Sequence, residues 1–233
     1  LVRFAGAKIW VDGSMGTALA WTSEPMEGTD DHFGSHYFDA LELTDVVEEA
    51  EEAGLALKLH VNGDAAVGAA LDAFEAVAAR RGGLQQRHVL DHVVLISTAD
   101  VARMAELGLP ASIQPSHAIA SALGNVADAW GAARMERSYD AASFAAADVP
   151  LALGTDWPVW PTPDPLVQVW AAVTHLEGKG LTVEQAMEAV TAGGALVAGC
   201  EDQLGKLLPG FYADFVVLDQ DPLDMAPESI PEV

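Results

Sequence analysis

The sequence predicts an α/β chain with a parallel sheet and helical crossovers, an incomplete (β/α)8 barrel of about five strands. Short apolar runs bounded by Gly, Pro or Asp alternate with stretches of helical periodicity. Residues able to bind a metal or move a proton recur at the ends of those runs. With 233 residues the chain can bury one sizeable core, yet it falls short of the roughly 250 residues a complete barrel takes.

The elements follow in order. A first strand is expected at 5–11 (AGAKIWV), then a helix at 44–53 with Thr44 as its N-cap. A second strand at 55–60 (LALKLH) leads to a helix at 64–81, where Ala, Val, Leu and Phe recur at helical spacing. The third strand, 87–92 (RHVLDH), precedes a helix at 98–107 that starts from Thr98 or Asp100. Strands at 110–115 (PASIQP) and 150–155 (PLALGT) are followed by helices at 139–147 and 164–176 respectively. At 182–199, Thr182 and Gln185 have capping-box spacing. The tail at 205–222 has a Pro-Gly turn and an apolar run, FVVLD, with no helix after it. It reads as a β segment outside the barrel. The expected division is therefore a barrel unit at 1–200 and, at 201–233, the C-terminal β segment of a small flanking β domain.

Composition narrows the partners. Hydrophobic residues make up 51% of the chain, in runs far shorter than the roughly 20 residues a membrane-spanning helix needs. With 35 acidic and 11 basic residues the net charge is −24, which repels nucleic acid and anionic membrane. Small molecules and further copies of the chain remain as partners. The single cysteine, Cys200, rules out a disulfide framework and a thiolate zinc cluster. A reduced, cytoplasmic setting is the expectation. The N-terminus has no secretory pattern and no initiator Met, so the chain is expected to begin inside a longer protein.

The strand ends carry the chemistry. Lys8 lies in the first strand, His60 ends the second, His92 ends the third, His117 follows the fourth and Asp156 follows the fifth. Each alone has a structural explanation, since a strand-end His is commonly a hydrogen-bonded core residue and an Asp before a helix commonly a cap. Five from five successive strands point to one barrel mouth, where such folds keep their chemistry. Imidazole and carboxylate without thiolate suit a divalent ion such as zinc with a position open for water. The ion would lower the pKa of that water to about 7. Asp156, between a buried strand and a rigid Trp-Pro step, is the candidate to carry the proton.

The order Lys, His, His, Asp at successive strand ends resembles the amidohydrolase superfamily. The words KIWVDGSMGT, LHVNGDAAVGAALDAFE, RHVLDH, ASIQPSHA, LGTDWPVWPTPDPL and GKLLPGFYADFVVLDQDPL resemble the branch with N-substituted formamide deformylase-like enzymes, from about residue 5 to 224. By that resemblance the chain spans about strands 4–8 of a barrel. His60 and His92 match the metal-binding histidines of strands five and six. Asp156 matches the strand-eight aspartate that binds metal and shuttles the proton, and Lys8 lies where relatives carry a carboxylated lysine bridging two metals. His117 and Arg134 are then substrate contacts, against the alternative of structural hydrogen bonds. Asp12 and Asp64 hold a ligand histidine's other nitrogen or shape turns. The resemblance implies a hydrolase acting on a non-peptide C–N bond of an amide, N-acyl or N-formyl group. The superfamily's His-x-His pair has no counterpart in this sequence. A non-catalytic barrel remnant that binds a partner or ligand, and a related deaminase or lactonase, are the alternatives. Trp130, Trp157 and Trp160 point to an apolar or aromatic substrate group, with core packing as the other explanation for each.

Overall fold

The apolar runs become five short strands, all parallel, in the order β1-β2-β3-β4-β5. They are β1 (Ala7–Trp10), β2 (Leu57–Val61), β3 (Val89–His92), β4 (Ala111–Ile113) and β5 (Leu151–Leu153) in a computed structural model that describes residues 4–123, 126–176 and 178–232. They are shorter than the sequence runs. Residues 110–115, for instance, begin and end in Pro, which cannot donate to a ladder. Each successive strand lies beside the last, the order a barrel segment has. Among the described residues β1 and β5 each pair with a single neighbour.

Helices supply the crossovers. α1 (Ala40–Ala53) starts ahead of Thr44 because Asp39 caps it, accepting from Leu41 N and Glu42 N while Glu42 reaches back to Asp39 N. α2 is Asp64–Arg81, as the spacing predicts, and α3 is Thr98–Leu107, capped by Ser97. Between β4 and β5 the chain adds α4 (Ser116–Leu123), α5 (Val126–Trp130) and α6 (Ala132–Arg137), three helices the periodicity does not announce, before α7 (Ala141–Ala146). α8 (Pro165–Thr174) begins at the Asp164 cap. The Thr182–Gln185 capping box opens α9 (Val183–Glu188), then a π turn at Ala189–Gly193, then α10 (Gly194–Val197). That helical stretch lies so close to β5 that a Cβ on Gly193 would sit 2.0 Å from the Leu151 carbonyl oxygen.

The core lies between the sheet and its helices. Leu57, Leu59 and Val61 of β2 are buried with Leu43 and Val47 of α1 and with Val67, Leu71 and Phe74 of α2. Each such Leu or Phe contributes about 1.5–3 kcal/mol through burial. The alternate residues of β2, Lys58 and His60, point to the opposite face. At the N-terminal end of the strands a buried pair holds β2 to β3. The Leu57 N–H donates to His88 Nδ1 at 3.0 Å, and His88 Nε2 bonds Glu51 Oε1 at 2.9 Å. Burial alone would raise the Glu51 carboxyl, but N–H donors on Gln86 and Gln85 and the His88 ring hold it below the ordinary carboxylate value.

The expected tail strand does not form among the described residues. FVVLD pairs with nothing described, and Val216 and Val217 are 84% and 82% exposed. β structure needs a neighbouring edge, whatever the apolar content of the run. The chain end returns to the body instead, with Ile230 of a 3-10 turn (Pro227–Glu232) fully buried near α8. No helix among the described residues is long and apolar enough to cross a membrane.

Candidate functional site

The C-terminal ends of β2 and β3 place two imidazoles side by side. His60 follows Lys58 on the face of β2 turned away from the helices, and its ring centroid lies 4.4 Å from that of His92, at 66°. Each ring is held from behind. His60 Nδ1 bonds Asp12 Oδ1 at 3.1 Å, and His92 Nδ1 bonds Gln114 Oε1 at 2.7 Å. A carboxylate and an amide oxygen only accept, which places the proton of each ring on Nδ1 and a lone pair on Nε2. His60 Nε2 accepts from Asn62 Nδ2 at 3.2 Å. Metal-binding histidines are oriented in this way.

Asp12 is fully buried and has five hydrogen-bond contacts. Besides His60 it accepts from Trp21 N at 3.0 Å, from Asn62 N at 3.0 and 3.1 Å and from Gly63 N at 2.9 Å. It thereby pins the loop after β1 onto the turn after β2. The contact is so close that a Cβ on Gly63 would lie 1.8 Å from the Trp21 carbonyl oxygen, which explains the glycine of the Asn-Gly-Asp turn. Asp64 adds a second tie, accepting from Ser23 N at 3.0 Å and from the Ser23 hydroxyl. Its role is in the loop, with no described bond to either histidine.

His117 lies in the first turn of α4, bonds the Thr155 backbone beside Asp156 and is near enough to His92 to act on its charge. Burial lowers its pKa below the ordinary imidazole value, although the Asp156 carboxylate and Thr155 pull the other way. The turn that carries Gln114 and His117 is fixed by buried Gln168 of α8. Its Nε2 donates to Ser116 Oγ at 2.8 Å, and its Oε1 accepts from Ser116 N at 3.2 Å. Asp156 follows β5 in an exposed turn, with φ 54°. His92 also has a left-handed backbone, φ 76°. Such conformations cost about a kcal/mol or more for residues other than Gly and gather at functional sites.

The four residues proposed as one ligand set have different partners. His60 and His92 are together, Asp156 acts on His117, His117 and Lys8 in turn act electrostatically on His92, and Lys8 forms an ion pair with Asp91 across the inner face of the sheet. Among the described residues no three His, Cys, Asp or Glu side chains are gathered closely enough to hold an ion. An unmodified Lys8 is a cation, and a carboxylate two strands away is its natural partner. Arg134 is buried, and its guanidinium donates to the carbonyls of Trp130 (3.0 Å), Glu24 (2.9 Å) and Pro25. Those bonds clamp the loop at 24–25 to α5. Trp130 is 1% exposed and belongs to the core. Sequence reasoning did not find Asp91, Asn62, Gln114 or Gln168. The first three had a signal in their closeness in sequence to His92, His60 and His117, whereas Gln168 had none.

In donor type, the two imidazoles with lone pairs on Nε2 fit a divalent ion. His92 is kept neutral: burial, then the charges of His60 and Lys8, pushes its pKa down to about 3. This has a consequence for stability. The unfolded His92 takes up a proton near pH 6.5, whereas the folded one refuses it until about pH 3, so stability is complete above pH 6.5 and falls with acidification. From His92 alone, the metal-free protein should lose about 2 kcal/mol between pH 6.5 and 5. His88 and His117, both lowered chiefly by burial, act in the same direction. Denaturant melts at the two pH values check this; equal midpoints would contradict it.

The amidohydrolase family model matches residues 1–233. The protein LONG AFTER FAR-RED 3 of Arabidopsis thaliana is 31% identical over 229 residues, covering 94% of this chain and 39% of that protein. The N-substituted formamide deformylase of Arthrobacter pascens is 27% identical over 243 residues, covering 100% of this chain and 44% of that enzyme. Among solved structures, an uncharacterized metal-dependent hydrolase from Pyrococcus furiosus superposes with a TM-score of 0.85 at 32% identity, covering 95% of this chain and 46% of that one. The chain therefore spans less than half the length of each of these relatives.

Proposed function

This chain belongs to the amidohydrolase family, and from that premise we propose that it carries part of the active site of a metal-dependent hydrolase cleaving a non-peptide C–N bond. The substrate is a small amide, N-acyl or N-formyl compound. The observation that supports this most is the His60–His92 pair, each ring held at Nδ1 by an acceptor on another element.

His60 and His92 would hold a divalent ion through Nε2, His60 giving up its bond from Asn62 Nδ2, and zinc is the best match to the donors. Lys8 would join them once carboxylated, giving up its ion pair with Asp91, and Asp156 would add a carboxylate. When bound, the ion polarises the carbonyl and makes a water acidic enough to attack at neutral pH. The chain's own residues do the rest. Asp12 and Gln114 keep the two rings in one tautomer and orientation. Asp156 takes the proton of the attacking water and returns it to the departing nitrogen. His117, beside Asp156, orients the substrate carbonyl, while Arg134 holds the loop at 24–25. The Lys8–Asp91 pair favours a second reading, a barrel segment that binds without turning over its ligand.

Metal analysis separates the two. The full-length protein carrying this chain is expected to contain about one or two equivalents of zinc, iron or manganese. Chelation should stop hydrolysis of an N-formyl or N-acyl amine, and added zinc should restore it. A purified protein free of metal, and unable to bind it, refutes the hydrolase.

A further inference from the structure

Trp10 is the side chain beside the paired histidines that the chemistry above leaves unused. It ends β1 directly opposite His60 in the parallel register, with ring centroids 6.3 Å apart at 37°. Residues paired in this way share a face of the sheet. Lys8, two residues earlier, shows which face that is, because its ammonium reaches Asp91 across β2. Trp10 therefore points to the same inner face, one step nearer the C-terminal ends where His60 and His92 stand. Strand alternation sets this direction, so a further strand beside β1 would not turn the ring away. Among the described residues Trp10 is 55% exposed, a large apolar side chain bordering a polar cluster. At the other flank Trp160 stands 6.4 Å from His117.

We propose that Trp10 is the specificity wall of this site and selects amides that carry a flat apolar substituent. The proposal rests on the hydrolase reading for the bond that is cut, though not for the binding it predicts. Aromatic rings stack face to face with an offset, or edge to face, at centroid separations of about 4.5–7 Å. A planar group laid on Trp10 leaves the attached amide over the adjacent His60 and His92. An aliphatic group of the same size covers the indole less closely and loses the stacking attraction. Below the indole, Lys8 and Asp91 make a polar floor, whether paired with each other or with Lys8 turned to an ion, that offers nothing to an apolar group, so selection falls to Trp10.

The probes are acetanilide and N-cyclohexylacetamide, which share one amide and differ in the flatness of the ring. Binding to the full-length protein is measured by calorimetry, and turnover is measured separately. The wild type should bind acetanilide about tenfold more tightly. Trp10→Phe should keep most of that preference, whereas Trp10→Ala and Trp10→Leu should lose it with folding intact by circular dichroism. A preference unchanged in Trp10→Leu, or no preference in the wild type, overturns the proposal. Selective binding without turnover or metal would sustain the wall and remove the hydrolase, so the two failures are distinct.

Discussion

Replacing Asp156 with asparagine is expected to lower kcat by about 10²–10⁴-fold, the range a positioned general acid–base contributes. The amide is the same size but neither takes a proton from water nor returns one to the leaving nitrogen. The fold should tolerate the change. Asp156 is exposed in its turn at φ 54°, a backbone that asparagine accepts as readily as aspartate. Stability should move by less than about 0.5 kcal/mol. Steady-state kinetics at several pH values, with metal content measured on the same samples, check the prediction. Full activity in the variant would remove Asp156 as the proton carrier. Lost metal with lost activity would assign it to ligation instead.

The second large effect is expected at Asp12. Its carboxylate accepts from three backbone N–H groups and from the His60 ring in a site with no solvent exposure. Asp12→Ala leaves those donors buried and unpaired, and each such group costs about 1–3 kcal/mol. The loss should therefore be several kcal/mol, visible as a lower denaturant midpoint. His60 would also lose the acceptor that sets its tautomer, which typically lowers metal affinity about 10–100-fold. A metal titration of the folded variant reads that second effect. Unchanged stability and affinity would leave Asp12 as a bystander.

Much of the fold was legible in the chain. The alternation of β2 and the long periodic helix α2 lie within a residue or two of their expected places, because both patterns are local. The Thr182–Gln185 capping box could be read directly for the same reason. A cap a few residues earlier shifted one boundary, where Asp39 displaced Thr44, whereas α3 keeps its expected bounds with Ser97 as its cap. The FVVLD run went the other way. Its apolar content promises a strand, but a strand exists only where another lies beside it.

The sequence by itself determined the parallel α/β order and the kinds of side chain at the ends of successive strands. Periodicity, turn residues and caps act over a few positions, and they are written along the chain. Only the tertiary structure decided which groups hold the candidate ligands. Asp12 meets His60 from 48 residues away, Gln114 meets His92 from 22, and Asp91 takes Lys8 from 83. Those meetings depend on register between strands and on loops folded over their ends, and spacing along the chain does not encode them until the sheet has formed.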